Sequence, residues 1–374
     1  MKKYIKIIIA CLLLGISVGF IDTYLLYEGY WAHFNKGLNS VYGWVHIIYA
    51  LAALFLAILA HELGHFISFK KQGIQPKSIY VLGLAFVNDD GWKLRFVPKF
   101  LLLVGGIVIP EHIKIHDEAT EKEIVEKFKK VLLAGPKASI IYGVIIFILW
   151  VLCLFTPIYW LSGFLFTAMI VTTFMSVIAV LSSRVSKGGM YGDFAAEKAF
   201  EKDALFRLTY LIQLTTLIEH DQESMDYFWP KIVHTLETKY LPGNHLYNNL
   251  LGQYMYEIVF EGRIASTGVD RRIKNIISRL PKNEDGFIMY LNIVYYYEAM
   301  HDRIKVLDLL NKLDTSAYKV PDKLLTYYLR LTNHLLNFKD ENEFLNNPDN
   351  IQTSSMDWVY KPLRLKSELK DIKK

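Results

Sequence analysis

Four stretches of this 374-residue chain are apolar for about 20 residues each, the length at which a helix crosses a bilayer core of about 30 Å. They run approximately from Tyr4 to Phe20, Trp44 to Phe69, Ala138 to Phe155 and Trp160 to Leu181. Lipid offers no hydrogen bonds, so open spans must be helices that satisfy their own backbone. Hydrophobic residues make up 52% of the chain, too many for an ordinary soluble protein of this length. A mainly α fold follows, with a polytopic membrane core of about four transmembrane helices. The first run follows Lys2 and Lys3 but is succeeded by no small-residue cleavage site, so it reads as a retained helix rather than a signal peptide.

Lys2, Lys3 and Lys6 flank the first run, Lys70, Lys71 and Lys77 follow the second, and Arg184 and Lys187 follow the fourth. The loop from Asp22 to Tyr42 holds only Lys36. The positive-inside rule then predicts both termini in the cytoplasm of a multi-pass protein. The Lys, Ile, Asn and Tyr bias suits a low-GC bacterium, hence a bacterial plasma membrane. The formal net charge of +5 is spread thinly, which argues against nucleic acid as a partner. Two cysteines, Cys11 and Cys153, both in apolar runs, supply no disulfide framework.

The chain divides near Gly192. Residues 1–192 hold the apolar runs and a cytoplasmic insertion over 73–130, in which KSIYVLGLAFV and WKLRFVPKFLLLVGGIVIP predict strands or a membrane-edge β-hairpin. The charged stretch DEATEKEIVEKFKK then predicts an amphipathic helix leading into the third span. Residues 193–374 read as a cytoplasmic helical domain, with hairpin turns at His220-Asp221, Glu261-Gly262, His301-Asp302 and Phe338-Lys339. Those turns recur about every 40 residues, a repeat-like, tetratricopeptide-like spacing, with an irregular bundle as the alternative.

Ionisable groups within a span are costly and mark sites. The second run carries three such groups within five residues, His61-Glu62-Leu63-Gly64-His65. Histidines four apart share one helix face and suit a single tetrahedral zinc, with Glu62 placed to act on water as general base. A third ligand is needed, and the metzincin extension is absent, since Ser68 and Lys71 occupy its positions. Carboxylates are available in two places, the acidic stretch from Glu111 to Glu126, and Asp193 within GGMYGDFAAEKAF.

The HELGH within a span, KVLLAGPKASIIYGV opening the next apolar run, and a glycine-flanked aspartate after a further one together resemble the site-2 protease family of intramembrane zinc metalloproteases. The resemblance covers about Trp44 to Phe200. It implies one zinc held by His61, His65 and Asp193, with Glu62 as the catalytic base. It also implies a loop at Gly135 and Pro136 beside the substrate path, and a transmembrane protein or small membrane peptide as substrate. Two departures stand out. Ser139 takes the place of the family's asparagine after Gly-Pro, which shortens or removes a hydrogen bond to substrate, and Tyr191-Gly192-Asp193-Phe194 replaces Leu-Asp-Gly. No room exists for a PDZ domain, so selection of substrates or of a protein partner falls to the hairpin or the C-terminal helices.

Two alternatives stay open on the sequence. One is a membrane-anchored gluzincin-type protease working in the cytoplasm with Glu121 or Glu123 as third ligand. The other is a non-catalytic membrane peptide receptor or scaffold. His112 and His116 have HxxxH spacing but read as solvated, His46 as interfacial, and Tyr295, Tyr296 and Tyr297 as lining a core or groove.

Overall fold

A computed structural model describes residues 29–88, 91–96, 105–187, 190–216, 220–347 and 350, together with Ile16, Gly19 and Thr23. The first apolar run, Tyr4 to Phe20, therefore lies outside the described residues apart from two positions. The molecule is mainly helical with a small antiparallel sheet, and it divides into two compact units.

The first unit spans residues 1–109, 130–185 and 192–194. A short helix α1 (Tyr30–Leu38) precedes α2 (Gly43–Lys71). Helix α3 (Glu118–Cys153) enters this unit at residue 130, and α4 (Tyr159–Ser182) follows it. Helices α2, α3 and α4 are the three described helices long and apolar enough to cross a membrane. Their shared core is built by Ala53 of α2, Ile146 and Cys153 of α3, and Leu165 and Ala168 of α4. The small side chains of Ala53, Cys153 and Ala168 let helices approach where lipid supplies no hydrophobic drive.

The loop expected at Gly135 and Pro136 does not form: the amphipathic lead-in and the third span make one unbroken α3, with both residues inside it. Neighbouring helices re-satisfy backbone groups freed by proline at membrane depth, so a Gly-Pro pair there need not end a helix.

The insertion folds into four strands, β1 (Pro76–Val81), β2 (Leu84–Asn88), β3 (Trp92–Phe96) and β4 (Gly106–Pro110), in the order β3-β2-β1-β4. The first predicted strand is divided at Leu82-Gly83, both at positive φ, into a two-residue turn that pairs Val81 with Leu84. Leucine is an unusual occupant of such a position, and for that reason the sequence signals a single strand or hairpin rather than a sheet. Ile79 and Val81 bury against Ile58 of α2, which fixes the sheet on that helix.

The second unit comprises residues 110–129, 186–191 and 195–374. A ribbon of β5 (Ser186–Lys187) and β6 (Met190–Tyr191) is followed by α5 (Asp193–Lys202), which passes into it. The helices α6 (Ala204–Thr216), α7 (Gln222–Thr238), α8 (His245–Val259), α9 (Thr267–Ile276), α10 (Glu284–Ala299), α11 (Arg303–Lys312), α12 (Asp322–Leu335) and α13 (Asn342–Leu345) complete it. Asp221, Asn244, Ser266, Asn283 and Asp302 cap five of these helices with side-chain acceptors. Tyr254, Tyr295, Tyr296 and Tyr297 lie in its core. The fully buried Glu257 accepts from Arg263 Nε at 2.9 Å and lies 2.7 Å from His220 Nε2, so its charge is compensated.

Candidate metal centre

Helix α2 presents His61, Glu62 and His65 near its C-terminal end, and α5 opens on Asp193. One helical turn separates the two histidines, so their Nε2 atoms meet at 3.2 Å. Asp193 Oδ2 lies 3.3 Å from His61 Nε2 and 3.6 Å from His65 Nε2. A tetrahedral ion with bonds of about 2.0–2.2 Å holds its ligand atoms about 3.3–3.6 Å apart, so the three atoms already outline one face of such a site. Among the described residues this is the sole grouping of His, Cys, Asp and Glu that could hold a metal ion.

The opposite ring nitrogens are engaged elsewhere. His65 Nδ1–H donates to the Val131 carbonyl at 2.8 Å, which leaves Nε2 without a proton and free to bind. His61 Nδ1 lies 2.9 Å from Ser139 Oγ. Both partners come from α3, in the turns flanking Gly135 and Pro136. Pro136 has no N–H to offer the Leu132 carbonyl, and in this same turn the Val131 carbonyl takes the His65 proton. Asp193 brings the anionic oxygen of the group, facing both imidazole Nε2 atoms. Its place in the first turn of α5 also suits a negative charge.

Glycine makes the close approach of α3 possible. A Cβ on Gly135 would overlap the imidazoles of His65 and His61. On the facing helix, a Cβ on Gly64 would stand 2.6 Å from Ala138 Cβ and 2.7 Å from the Ala134 carbonyl. Gly64→Ala is therefore expected to force the helices apart at a cost of about 1–3 kcal/mol. A lowered midpoint of thermal unfolding in detergent would report it; an unchanged midpoint would show that the crossing is slack.

Glu62 is buried, and β4 comes against it closely enough that a Cβ on Gly106 would lie 2.7 Å from Glu62 Cδ. Glu121 is occupied elsewhere, accepting from Lys231 Nζ at 2.6 Å and from the Tyr227 hydroxyl at 2.8 Å. Glu123 pairs with Lys127 at 2.6 Å. His112 lies 3.9 Å from Asp221, and His116 lies 3.6 Å from its neighbour Asp117. His46 reaches the Leu38 carbonyl at 2.9 Å.

Sequence reasoning did not anticipate the contacts of Ser139 with His61, of Val131 with His65, or of Gly106 with Glu62. The first carried a signal. Ser139 stands four residues after Gly135, and so faces the same way along one helix.

Residues 49–314 match the family model of peptidase family M50. The chain belongs to peptidase family M50, the site-2 protease family. Peptidase family M50 consists of membrane zinc metallopeptidases, and the donor set of two imidazoles and a carboxylate fits the ion that the family employs. No curated protein and no solved structure matches the chain.

Proposed function

We propose that this chain is an intramembrane zinc endopeptidase that cleaves a membrane protein or small membrane peptide in or near a transmembrane segment. The observation that carries the reading is that His61 Nε2 and His65 Nε2, on a helix long enough to span a bilayer, meet Asp193 Oδ2 from α5, with Glu62 beside them. His61, His65 and Asp193 hold one ion. Zinc, when bound there, supplies Lewis acidity toward the scissile carbonyl and toward water. Glu62 accepts the proton of the attacking water and returns it to the departing amine.

The scissile carbonyl must first be exposed, because an intact helix commits its carbonyls to its own ladder. An extended segment gains replacement hydrogen bonds by adding to a sheet edge. Lys77 to Val81 lie in β1, which is flanked by β4 and β2, whereas Trp92 to Phe96 form the edge strand β3. The other edge is β4, and β4 is the strand whose Gly106 meets Glu62. We therefore assign docking of the unwound segment to β4, with Gly135 and Pro136 bordering the path on the side of the imidazoles.

Residues 193–374 act in this scheme as a cytoplasmic, repeat-like domain that recruits a protein partner, and both termini face the cytoplasm of a bacterial plasma membrane. The test is a comparison of protein termini by mass spectrometry, in membranes from cells with and without the chain. A single-span protein that is cut only when the chain is present is the expected result. Matching profiles with abundant chain would favour a receptor or scaffold.

A further inference from the structure

The geometry points to Ser139 as a positioning residue for the metal site, acting through His61 rather than through the substrate. This rests on the zinc reading above and concerns a residue whose counterpart in the family resemblance is an asparagine directed at substrate.

Ser139 is 6% exposed and sits on α3 one turn beyond Gly135. Its Oγ lies 2.9 Å from His61 Nδ1. His61 Nε2 faces His65 Nε2 and Asp193, and when a metal ion takes that nitrogen the proton of this imidazole is left on Nδ1, where Ser139 Oγ accepts it. The serine is itself anchored. Ser176 of α4 donates its hydroxyl to the Ser139 carbonyl at 3.0 Å. Gly143 leaves room for that contact, since a Cβ there would stand 3.3 Å from Ser176 Oγ. A polar chain thus runs from half-buried Ser176 of α4 through buried Ser139 of α3 to the ring of His61 on α2.

A shorter side chain at position 139 suits this role. Outer partners of a metal-bound histidine fix its tautomer and ring orientation, and their removal lowers metal affinity by about 10–100-fold. His65 obtains the same service from the Val131 carbonyl, which no side-chain substitution removes. Ser139 is therefore the point at which metal affinity depends on a side chain outside the ligand set.

The experiment uses the full chain purified in detergent, with zinc affinity measured by competition against a chromogenic chelator. Ser139→Ala is expected to weaken zinc binding by about 10–100-fold. Ser176→Ala should weaken it less. Ser162→Ala, which removes an equally buried hydroxyl of α4 with no contact to the histidines, should leave it unchanged. With excess zinc, Ser139→Ala should recover most of its turnover at an unaltered KM. Wild-type zinc affinity in Ser139→Ala, with a raised KM, would overturn the inference and make Ser139 a substrate contact. Equal weakening by Ser162→Ala would overturn it too, by showing a general response to lost hydroxyls. A wild-type chain that binds no zinc would instead defeat the underlying zinc reading.

Discussion

Glu62→Gln is expected to reduce peptide-bond cleavage by about 10²–10⁴-fold while zinc stays bound. The amide keeps the size of the carboxylate but cannot take up a proton from water. The ligand atoms belong to His61, His65 and Asp193, none of which the substitution touches. The neighbouring backbone should tolerate it as well, because Gly106 contacts the Cγ and Cδ of Glu62, which glutamine retains. Metal content and cleavage should therefore separate, as measured by zinc stoichiometry and by turnover of a captured substrate on one preparation. Full activity in Glu62→Gln would remove Glu62 from the chemistry, and loss of zinc would move it into the ligand set.

Asp193→Ala is expected to cost both metal and activity, by more than the about 10–100-fold that follows loss of an outer partner. Two imidazoles alone make an incomplete zinc site, and among the described residues no other carboxylate joins their group of ligand atoms. Glu121→Ala and Glu123→Ala should keep their zinc. The first is expected to disturb instead the contacts of Lys231 and Tyr227, the second only an exposed pair with Lys127. Zinc retained in Asp193→Ala and lost in Glu121→Ala or Glu123→Ala would restore the gluzincin alternative.

Histidines 61 and 65 could be read as partners from their spacing, because a helix turns a separation of four into proximity. Asp193 lies far along the chain, and no local rule brings it to them; the residues alone left it one of two carboxylate candidates, and the family pattern chose it. The sheet was half legible. Alternation marked the strands, but Leu82 at positive φ hid a turn, and nothing in GGIVIP announced that its glycine would face Glu62. Pro136 misled in the opposite sense. In water it would suggest a boundary, yet α3 runs through it. The Ser139 contact was hidden by its family counterpart, since comparison with asparagine draws attention to what the serine has lost and away from what it reaches.

The length of α3 has a consequence for how water meets the site. From Val131 to Cys153 the helix rises about 33 Å, and from Gly43 to His61 the antecedent helix α2 rises about 27 Å. Each distance is close to the hydrocarbon thickness of about 30 Å. Two rods of different length thus reach the imidazoles after about one bilayer thickness, which, on the intramembrane reading proposed above, would set the histidines at the hydrocarbon boundary instead of the midplane. A hydrolase at that depth would draw its water from the headgroup layer and need no conduit through the helices.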